Sequence, residues 1–330
     1  MTTESRQVHL VRRPEGLPKV DDFAVVPVEI EDPRPGEFLV RNRYMSLDPA
    51  MRPRLSNGVT TIGQPIAGAA IGIVTASRHP QFREGDLVEH RLGFRDYAIS
   101  NGDDVQRIAL EGEPMSAHLG VLGVNGLTAY AGLLDVGKLA EGERVFVSAA
   151  AGAVGSIAAQ IAKVKGCHVI GSAGSDAKCT WLRDVAGLDV AINYRNGVLR
   201  KTLKAAAPEG IDVYFDNVGG EHLNATLPRM RMRGRIVVCG MISAYNSDGA
   251  ISDCVNTLSN MMYNRLTMTG FVVWDFLHLR ERFLSDMRAW IAQGRVRWEE
   301  TVYEGLENAA LALIGLFTGQ NLGKMLVRIS

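Results

Sequence analysis

Residues 144–171 read RVFVSAAAGAVGSIAAQIAKVKGCHVIG, and this stretch decides the fold. An apolar run at 145–147 leads into a turn of small residues, and a segment with the apolar spacing of a helix follows at 157–164. A second apolar run begins at 168. Strand, turn, helix and strand in this order form the first unit of a dinucleotide-binding sheet. The stretch therefore predicts a doubly wound, parallel α/β sheet.

The turn itself has the spacing of a phosphate-binding loop and reads Ala-x-Gly-x-x-Gly over 150–155. The glycines let the backbone approach a pyrophosphate and let the helix pack close to the strand, while the N–H groups at the helix start hold phosphates. Alanine at the first position keeps the turn if its φ stays negative. A glycine-rich turn in an α/β protein with another ligand is the alternative. We expect the dinucleotide to contact Ala151, Gly152, Ala153, Val154 and Gly155.

The end of the second strand bears on which dinucleotide is bound. NAD sites usually place an acidic residue there, whereas residues 171–175 contain none. Ser175 or Asp176 can cap the next helix, and Lys178 then lies in its first turn, where a cation is unfavourable for the helix dipole. The 2′-phosphate of NADP would explain this lysine, and an exposed lysine on a solvated helix face is the alternative.

Composition narrows the class of protein. The 330 residues are 46% hydrophobic and 22% charged, which is typical of a soluble globular protein with one or two domains. Acidic and basic residues balance at 36 each, so we expect neither nucleic-acid nor membrane binding. The N-terminus lacks the apolar core of a signal peptide. None of the four cysteines precedes Cys167 or forms a C-x-x-C pair, so we expect no metal site and a reducing, cytoplasmic location.

Two patterns of predicted secondary structure divide the chain. Short β-like runs alternate with Pro/Gly turns up to about residue 120, which is typical of a compact β barrel. From there onward β and α segments alternate, with strands predicted at 191–193, 211–215, 236–239 and 266–273 and a long helix at 276–293. We predict a β-rich substrate domain formed by 1–123 and 298–330, and a dinucleotide-binding domain at 124–297.

Motifs along nearly the whole chain carry a resemblance to a known family. They read YMSLDPAMR at 44–52, GLTAYAGLL at 126–134, AAAGAVG at 149–155, FDNVGG at 215–220, CGMISAYN at 239–246 and NLGK at 321–324. Together they resemble the zinc-independent medium-chain dehydrogenase/reductases, in the prostaglandin/leukotriene reductase branch with plant alkenal double-bond reductases and bacterial curcumin reductase. The resemblance implies a GroES-like barrel domain, a Rossmann domain, and a homodimer joined through the edge of the 266–273 strand.

The resemblance also implies NADP(H) as the cofactor and assigns residues to it. Lys178 and Tyr194 hold the 2′-phosphate, with Gly174 or Ser175 lending backbone groups, although Tyr194 also fits an aromatic residue at the rim. Asn321 reaches the cofactor from the C-terminal tail. The remaining contacts come from successive strand ends, at Asn217, Cys239, Gly240, Met241, Ile242, Ser243, Tyr245, Phe271, Val272 and Val273.

The reaction implied by the resemblance is NADPH-dependent reduction of the C=C bond of an α,β-unsaturated aldehyde or ketone, with hydride delivered to the β-carbon. Tyr263 is implied as a catalytic hydrogen-bond donor to the nicotinamide ribose or the substrate oxygen. An aromatic residue that packs on the core at a helix end is the alternative for Tyr263. A quinone reductase and a non-catalytic NADPH-binding protein are the alternative functions.

The implied substrate cleft contains Tyr44, Ala50 and Arg52. Family members often carry a tyrosine after Asp-Pro, where this chain has Ala50. The change removes a phenol from one wall, so the substrates of relatives cannot be transferred to this chain. Segment 248–253 is a second departure, because relatives often have a proline-rich loop there.

Overall fold

The structure is a computed structural model that describes residues 2–247 and 255–329. Segment 248–253 and Cys254 therefore lie outside the described residues. The chain forms two compact units, with Met1–Leu119 and Glu300–Ser330 in unit 1 and Gly120–Glu299 in unit 2. The division predicted from the sequence, at 123/124 and 297/298, lies a few residues from these boundaries.

Unit 1 is rich in β-structure. Strands β1 (Thr2–Leu10) and β2 (Phe23–Glu31) form an antiparallel pair. The other strands of its described part are β3 (Phe38–Ser46), β4 (Ala70–Ser77), β5 (Leu87–His90), β6 (Tyr97–Ser100), β7 (Gln106–Arg107), β14 (Glu300–Glu304) and β15 (Lys324–Arg328). They form one sheet in the order β14-β15-β3-β4-β5-β7, with β6 paired to β3. Its helices are α1 (Met51–Ser56) and α9 (Ala309–Thr318).

The core of unit 1 joins its two ends. Leu10 of β1, Met45 of β3, Leu313 of α9 and Val327 of β15 are all fully buried in one cluster. The C-terminal segment is therefore an integral part of this unit, because its helix and strand supply apolar side chains that the N-terminal strands need for burial. Neither β1 nor β2 was predicted: the first half of β1 is polar, and β2 contains a proline at Pro27.

Unit 2 is built on a parallel sheet. Its strands are β8 (Arg144–Val147), β9 (His168–Ala173), β10 (Val190–Asn193), β11 (Ile211–Asp216), β12 (Met230–Val238) and β13 (Thr267–Gly270). Within the described residues the order is β10-β9-β8-β11-β12-β13, and each neighbouring pair is parallel. This is the strand order of a dinucleotide-binding sheet, so the predicted Rossmann fold is confirmed. The order reverses between β8 and β11, where such sheets bind their ligands.

Helices cover this sheet because its strands are apolar on both faces. They are α2 (Val124–Tyr130), α3 (Ala153–Val164), α4 (Asp176–Asp184), α5 (Leu199–Ala206), α6 (Gly220–Thr226), α7 (Ser259–Tyr263) and α8 (Arg280–Ala292), and a π-helical segment, Ala131–Val136, follows α2. The predicted α3 periodicity is confirmed, since Ile157, Ala158, Ile161 and Ala162 are all buried.

Two elements of unit 2 have bounds that differ from the prediction. The strand predicted at 266–273 stops at Gly270, because Gly270 pairs with Val238 and β12 ends there, which leaves the following residues without a neighbour. The helix predicted at 276–293 begins at Arg280, after a 3₁₀ segment at Val273–Leu279. Within the described ranges, no helix is both long and apolar enough to cross a bilayer.

Candidate functional site

The turn between β8 and α3 lies at the point where the strand order of unit 2 reverses. Gly152 is the N-cap of α3, with an extended backbone at φ −87° and ψ 177°, and no described side chain caps the helix. The first N–H groups of α3 are therefore available to an external acceptor. An anion is favoured there, because the helix dipole adds positive potential.

The two glycines of the turn have different steric roles. A Cβ on Gly155 would overlap the carbonyl oxygen of Ala149 and lie 2.9 Å from its carbonyl carbon, so close packing of helix on turn requires glycine. A Cβ on Gly152 would meet only that oxygen, at 3.3 Å, and otherwise point into open space. The positive φ of the turn falls on Ala149, at 48°, and Ala150 at the first motif position is not in that region, which meets the condition for an alanine there. The open cradle over Gly152 fits a pyrophosphate.

A buried carboxylate ties together the ends of β8 and β11. One oxygen of Asp216 accepts hydrogen bonds from the Tyr214 hydroxyl at 2.6 Å and the Ser148 hydroxyl at 3.0 Å. It also accepts the N–H groups of Val218 and Gly219, each at 2.9 Å. Burial raises the pKa of Asp216 even though these donors oppose the shift. The network fixes the turn that carries Asn217.

Asn217 and the loop after β12 meet at this same carboxyl edge. The Asn217 side-chain amide donates to the Ser148 carbonyl at 2.7 Å, and its N–H donates to the Ser148 hydroxyl at 2.9 Å. The Ile242 N–H donates to the Asn217 carbonyl at 3.2 Å, and the Ser243 hydroxyl donates to the Val218 carbonyl at 2.7 Å. The structure thus brings together the residues that were predicted from two separate motifs.

The rest of the loop after β12 exposes backbone groups and the thioether of Met241. Its thiol, Cys239, is not a nucleophile. The Met241 N–H donates to the Tyr245 hydroxyl at 3.3 Å, and the Met241 side chain is 45% exposed beside Gly240. Burial, with a smaller contribution from Asp216, raises the pKa of the Cys239 thiol to about 12. Cys239 therefore stays protonated at neutral pH and cannot serve as a thiolate.

The end of β9 carries the predicted 2′-phosphate site. Ser175 caps α4, and its hydroxyl accepts the Lys178 N–H at 3.3 Å. A Cβ built on Gly174 would lie 3.0 Å from the Tyr194 hydroxyl. Burial, and then the charge of Arg195, lower the pKa of the Lys178 ammonium. The predicted residues thus lie together, and Arg195 lies with them.

Arg195 was not predicted from the sequence as part of the 2′-phosphate site. It directly follows Tyr194, and its guanidinium lies over the Tyr194 ring with Cζ 5.9 Å from the ring centroid. A basic residue next to the tyrosine at the third strand end was the only available signal, and a single exposed arginine is too common to indicate a site.

The three residues after β13 differ in their environment. A Cβ on Gly132 of the π-helical segment would lie 2.7 Å from the rings of both Phe271 and Phe215, so Phe271 packs inward there. Val273 is buried, whereas Val272 is 55% exposed. Of this predicted group, Val272 is therefore the side chain most available to a ligand or partner.

Comparison with known proteins identifies the family. Residues 6–108 match the family described as N-terminal domain of oxidoreductase, and residues 153–292 match the family described as zinc-binding dehydrogenase. Prostaglandin reductase 1 of Bos taurus is 42% identical to this chain, with 95% of each chain covered. The NADP(+)-dependent 2-alkenal reductase of Nicotiana tabacum is 41% identical, with 99% of this chain and 98% of its own covered.

This chain belongs to the zinc-independent medium-chain dehydrogenase/reductase family. The resemblance drawn from the motifs is thereby confirmed. The NADPH-dependent curcumin reductase of Escherichia coli strain K12 is a further relative of this reductase, at 36% identity over 99% of this chain and 97% of its own. In the described part of the reductase, no group of three or more His, Cys, Asp or Glu side chains is arranged to hold a metal ion.

Solved structures support the same assignment. CurA from Vibrio vulnificus, in its crystal structure in complex with NADPH, aligns with a TM-score of 0.93 at 39% identity, covering 98% of this chain and 99% of its own. The Escherichia coli quinone oxidoreductase complexed with NADPH aligns with a TM-score of 0.76 at 22% identity, covering 98% and 99%. At that identity the second likeness shows the shared fold alone.

The predicted substrate residues of the reductase lie in unit 1. Tyr44 is half-buried on β3, and Ala50 is exposed at the start of α1. Arg52 is only 2% exposed, and its guanidinium donates to the carbonyl of Gly16 at 2.7 Å and to that of Pro14 at 3.2 Å. The charge of Arg52 therefore holds the 14–16 loop in place within unit 1.

Asn321, the predicted cofactor contact of the tail, also lies in unit 1. It is found in the turn before β15, and its side-chain amide donates to the Gly323 carbonyl at 2.9 Å. This bond shapes the turn, and it leaves the amide oxygen of Asn321 as the group that a ligand would meet.

Tyr263 ends α7 and is 66% exposed, so the alternative of a core-packing aromatic is wrong. The next residue, Asn264, donates to the Met230 carbonyl at 3.0 Å, at the beginning of β12. Tyr263 therefore lies at the amino edge of its own sheet, whereas Asn217 lies at the carboxyl edge. The whole of β13, about 13 Å long, separates the two edges at this end of the sheet.

Proposed function

We propose that this reductase uses NADPH to reduce the C=C bond of α,β-unsaturated aldehydes and ketones. The observation that carries the proposal is similarity over nearly the full chain to enzymes named for such reductions, at 36–42% identity. The NADPH complex of CurA supports the choice of cofactor, because that structure aligns over 98% of this chain.

The residues of unit 2 fit NADPH along its length. The open cradle over Gly152 and the start of α3 suit the pyrophosphate, and Lys178 with Tyr194 suits the 2′-phosphate. Asn217 and the loop at Met241 then take the nicotinamide half, at the strand ends where such sheets bind ligands. The cofactor, when bound, supplies hydride, and these side chains orient it and exclude water.

Negative charge develops on the carbonyl oxygen of the substrate when the β-carbon receives hydride. Hydrogen-bond donors positioned at that oxygen stabilise the developing charge. We assign this role to Tyr263 together with the ribose hydroxyl, as the family resemblance implies. Ala50 leaves the wall of the substrate cleft without the phenol that relatives often have, so a larger or less polar enone fits the proposal.

Quinone reduction is the second candidate. The quinone oxidoreductases that align with this chain share 21–22% identity and therefore the fold alone. The curcumin reductase and the 2-alkenal reductase share 36% and 41% identity over nearly the whole chain. We therefore rank C=C reduction first.

The test is NADPH oxidation against an alkenal, an alkenone and a quinone, followed by product analysis with deuterium at nicotinamide C4. We expect turnover of the enal or enone, with the label at the β-carbon of a product that keeps its carbonyl. Faster quinone turnover would favour the second candidate, and label at a carbinol carbon would refute C=C reduction. No turnover with any acceptor would favour a non-catalytic NADPH-binding protein.

We also propose a homodimer, joined by antiparallel pairing of β13 with its copy. β13 is the last strand of the described sheet, so one of its edges has no strand partner there. Large apolar side chains surround it, and Met262 is 68%, Val272 55% and Trp274 48% exposed. Exposed apolar groups beside an open strand edge are typical of a two-fold interface.

The same pairing gives Tyr263 access to a nicotinamide site. Antiparallel strands centred on each other place the amino end of one β13 beside the carboxyl end of its copy. Tyr263 would then lie near residues 272–274 of the partner subunit, at the carboxyl edge of the partner's sheet. In its own subunit Tyr263 lies at the opposite, amino edge. We infer that Tyr263 acts on the substrate bound to the other subunit.

Mixed dimers test this arrangement. One subunit carries Tyr263→Phe, and the other carries Gly152→Val, whose side chain would fill the open cradle in which we place the pyrophosphate. Action across the interface predicts that the mixed dimer regains about half of the wild-type activity. Activity no higher than that of the Tyr263→Phe homodimer would show that Tyr263 does not act from the partner.

We further propose that the reductase works in the cytoplasm. Cys167, Cys179 and Cys239 are free thiols, as suits a protein of a reducing compartment. Fractionation of the source cells tests the location, and recovery of the protein with the periplasmic or secreted fraction would refute it.

A further inference from the structure

Groups from separate segments converge on the end of β9. A Cβ built on Gly174 would lie 3.0 Å from the Tyr194 hydroxyl and 3.4 Å from the Arg195 Nε. The Tyr194 hydroxyl and the Arg195 guanidinium therefore border the same space beside the Gly174 backbone. Lys178, in the first turn of α4, is close enough for the charge of Arg195 to lower its pKa.

Arg195 and Lys178 bring two positive charges close together at this place. Arg195 forms no ion pair within residues 2–247 and 255–329, and the acid at the start of α4, Asp176, accepts hydrogen bonds from other side chains. The Asp176 carboxylate accepts the side-chain amides of Asn193 at 2.7 Å and Asn196 at 3.0 Å. Two cations held near each other repel, so an anion between them is favoured.

The position of Arg195 is also fixed. The bonds of Asp176 to Asn193 and Asn196 hold the segment that carries Arg195 against the start of α4. Beneath it, the Tyr194 ring packs edge-on against the buried His222, with ring centroids 5.1 Å apart. Arg195 thus lies over an aromatic ring that is itself packed on a buried side chain, and its planar guanidinium can donate two parallel hydrogen bonds to a phosphate.

We propose that Arg195 recognises the 2′-phosphate of NADPH, together with Lys178 and Tyr194, and that it determines the preference for NADPH over NADH. The proposal rests on the proposed function, since it names a residue of the same cofactor site. Lys178 supplies a point charge, whereas Arg195 supplies a bidentate donor that fits the oxygens of a phosphate.

The test is binding of nucleotide fragments, measured by calorimetry without any turnover. Adenosine 2′,5′-bisphosphate carries the 2′-phosphate, and adenosine 5′-monophosphate lacks it. In Arg195→Gln we expect the affinity for the bisphosphate to fall about tenfold, because a charge-assisted hydrogen bond at an exposed site lies at the lower end of the usual range. Affinity for the monophosphate should stay within about twofold of the wild type.

Two further variants make the result specific. Arg200→Gln removes an exposed charge of α5 close in sequence and should leave both affinities unchanged. Arg195→Lys keeps the charge without the fork and should restore only part of the bisphosphate affinity. Arg195 is exposed, so thermal melting of these variants should match the wild type.

The outcomes separate this inference from the proposed function. If the wild type prefers the bisphosphate and Arg195→Gln keeps that preference, Arg195 does not read the phosphate and the inference is overturned alone. If the wild type binds both fragments equally, the NADPH preference and the role of Arg195 are both overturned. Equal weakening of both fragments in Arg195→Gln also overturns the inference, because the residue would then contact the shared part of the nucleotide.

Discussion

Alanine substitutions of the two turn glycines should separate folding from cofactor binding. A Cβ on Gly155 would overlap the Ala149 carbonyl oxygen and lie within 3.0 Å of the Ala149 carbonyl carbon and the Ala150 Cα. All of these are backbone atoms and cannot rotate away, so α3 must shift relative to the turn. Overpacking lowers the free energy of unfolding by about 1–3 kcal/mol. Because the neighbours of Gly155 are rigid backbone atoms, we expect a loss of about 3 kcal/mol for Gly155→Ala. For a unit of this size that corresponds to a fall in Tm of roughly 6–12 °C.

Gly152→Ala is the matched variant. Its Cβ would meet a single atom at 3.3 Å, and the extended backbone of Gly152 suits alanine. The expected loss of stability is about 0.5–1 kcal/mol, the usual cost of alanine at an N-cap. Because the Cβ points into the open cradle, we expect the Kd for NADPH to rise about tenfold or more, which corresponds to about 1.4 kcal/mol.

Thermal melting without cofactor and a fluorescence titration with NADPH measure these two effects. We expect Gly155→Ala to be the less stable variant and Gly152→Ala to be a stable protein with weak NADPH binding. If Gly155→Ala melts within about 2 °C of the wild type, the close packing at Ala149 is not rigid. If Gly152→Ala binds NADPH normally, the pyrophosphate does not lie over Gly152.

Other measurements test the remaining parts of the site. Lys178→Ala should raise the KM for NADPH by about tenfold or more and leave the KM for NADH nearly unchanged, since a charge-assisted contact contributes about 1.5–3 kcal/mol; equal changes would refute a role in phosphate recognition. Tyr263→Phe should lower kcat by roughly 10²-fold with less effect on KM, because its hydrogen bond strengthens as charge develops on the substrate oxygen; an unchanged kcat would leave the ribose hydroxyl as the donor. Prolonged chelation should not change the rate, since no metal-ligand cluster is found among the described residues. Stoichiometric zinc in the purified protein, with activity lost when it is removed, would contradict this expectation. Burial lowers the pKa of His90 and of His222 to about 4, so between pH 6.5 and 4 the unfolded chain binds protons that the folded chain does not. As the pH is lowered from 6.5 to 4, the free energy of unfolding should therefore decrease by roughly 3 kcal/mol per histidine. Denaturant unfolding of His90→Gln across that range should show a smaller decrease than the wild type.

Local sequence was enough to predict the Rossmann unit, because its signals lie within a few residues of each other. The apolar run of β8, the small residues of the turn and the helical period of α3 occur in one continuous stretch, and each element forms where its pattern occurs. Weak or interrupted patterns were less informative. β1 was missed because polar residues occupy much of it, and the start of α8 was misplaced because the apolar spacing continues through the preceding 3₁₀ segment.

The candidate site was predictable to the extent that each motif follows a strand. Asn217 and the 239–245 loop were expected at one sheet edge, and the bonds of Ser148 and Asn217 show how the two strand ends are held together. Arg195 could not be found this way, since its approach to Gly174 and Lys178 depends on how β9 and β10 pair.

From the sequence alone follow the dinucleotide-binding unit and the two-part organisation of the chain, because those depend on local periodicity and on turns that few residues can form. The family motifs of the sequence added the cofactor class and the expected cofactor contacts. Only the tertiary structure decided which strands are neighbours, that Arg52 is buried under the 14–16 loop, and that Tyr263 lies at the amino edge of its sheet. The physical reason is that hydrogen bonding and burial between distant segments determine which edge or interior a side chain occupies. Residue spacing along the chain carries no information about those long-range pairings.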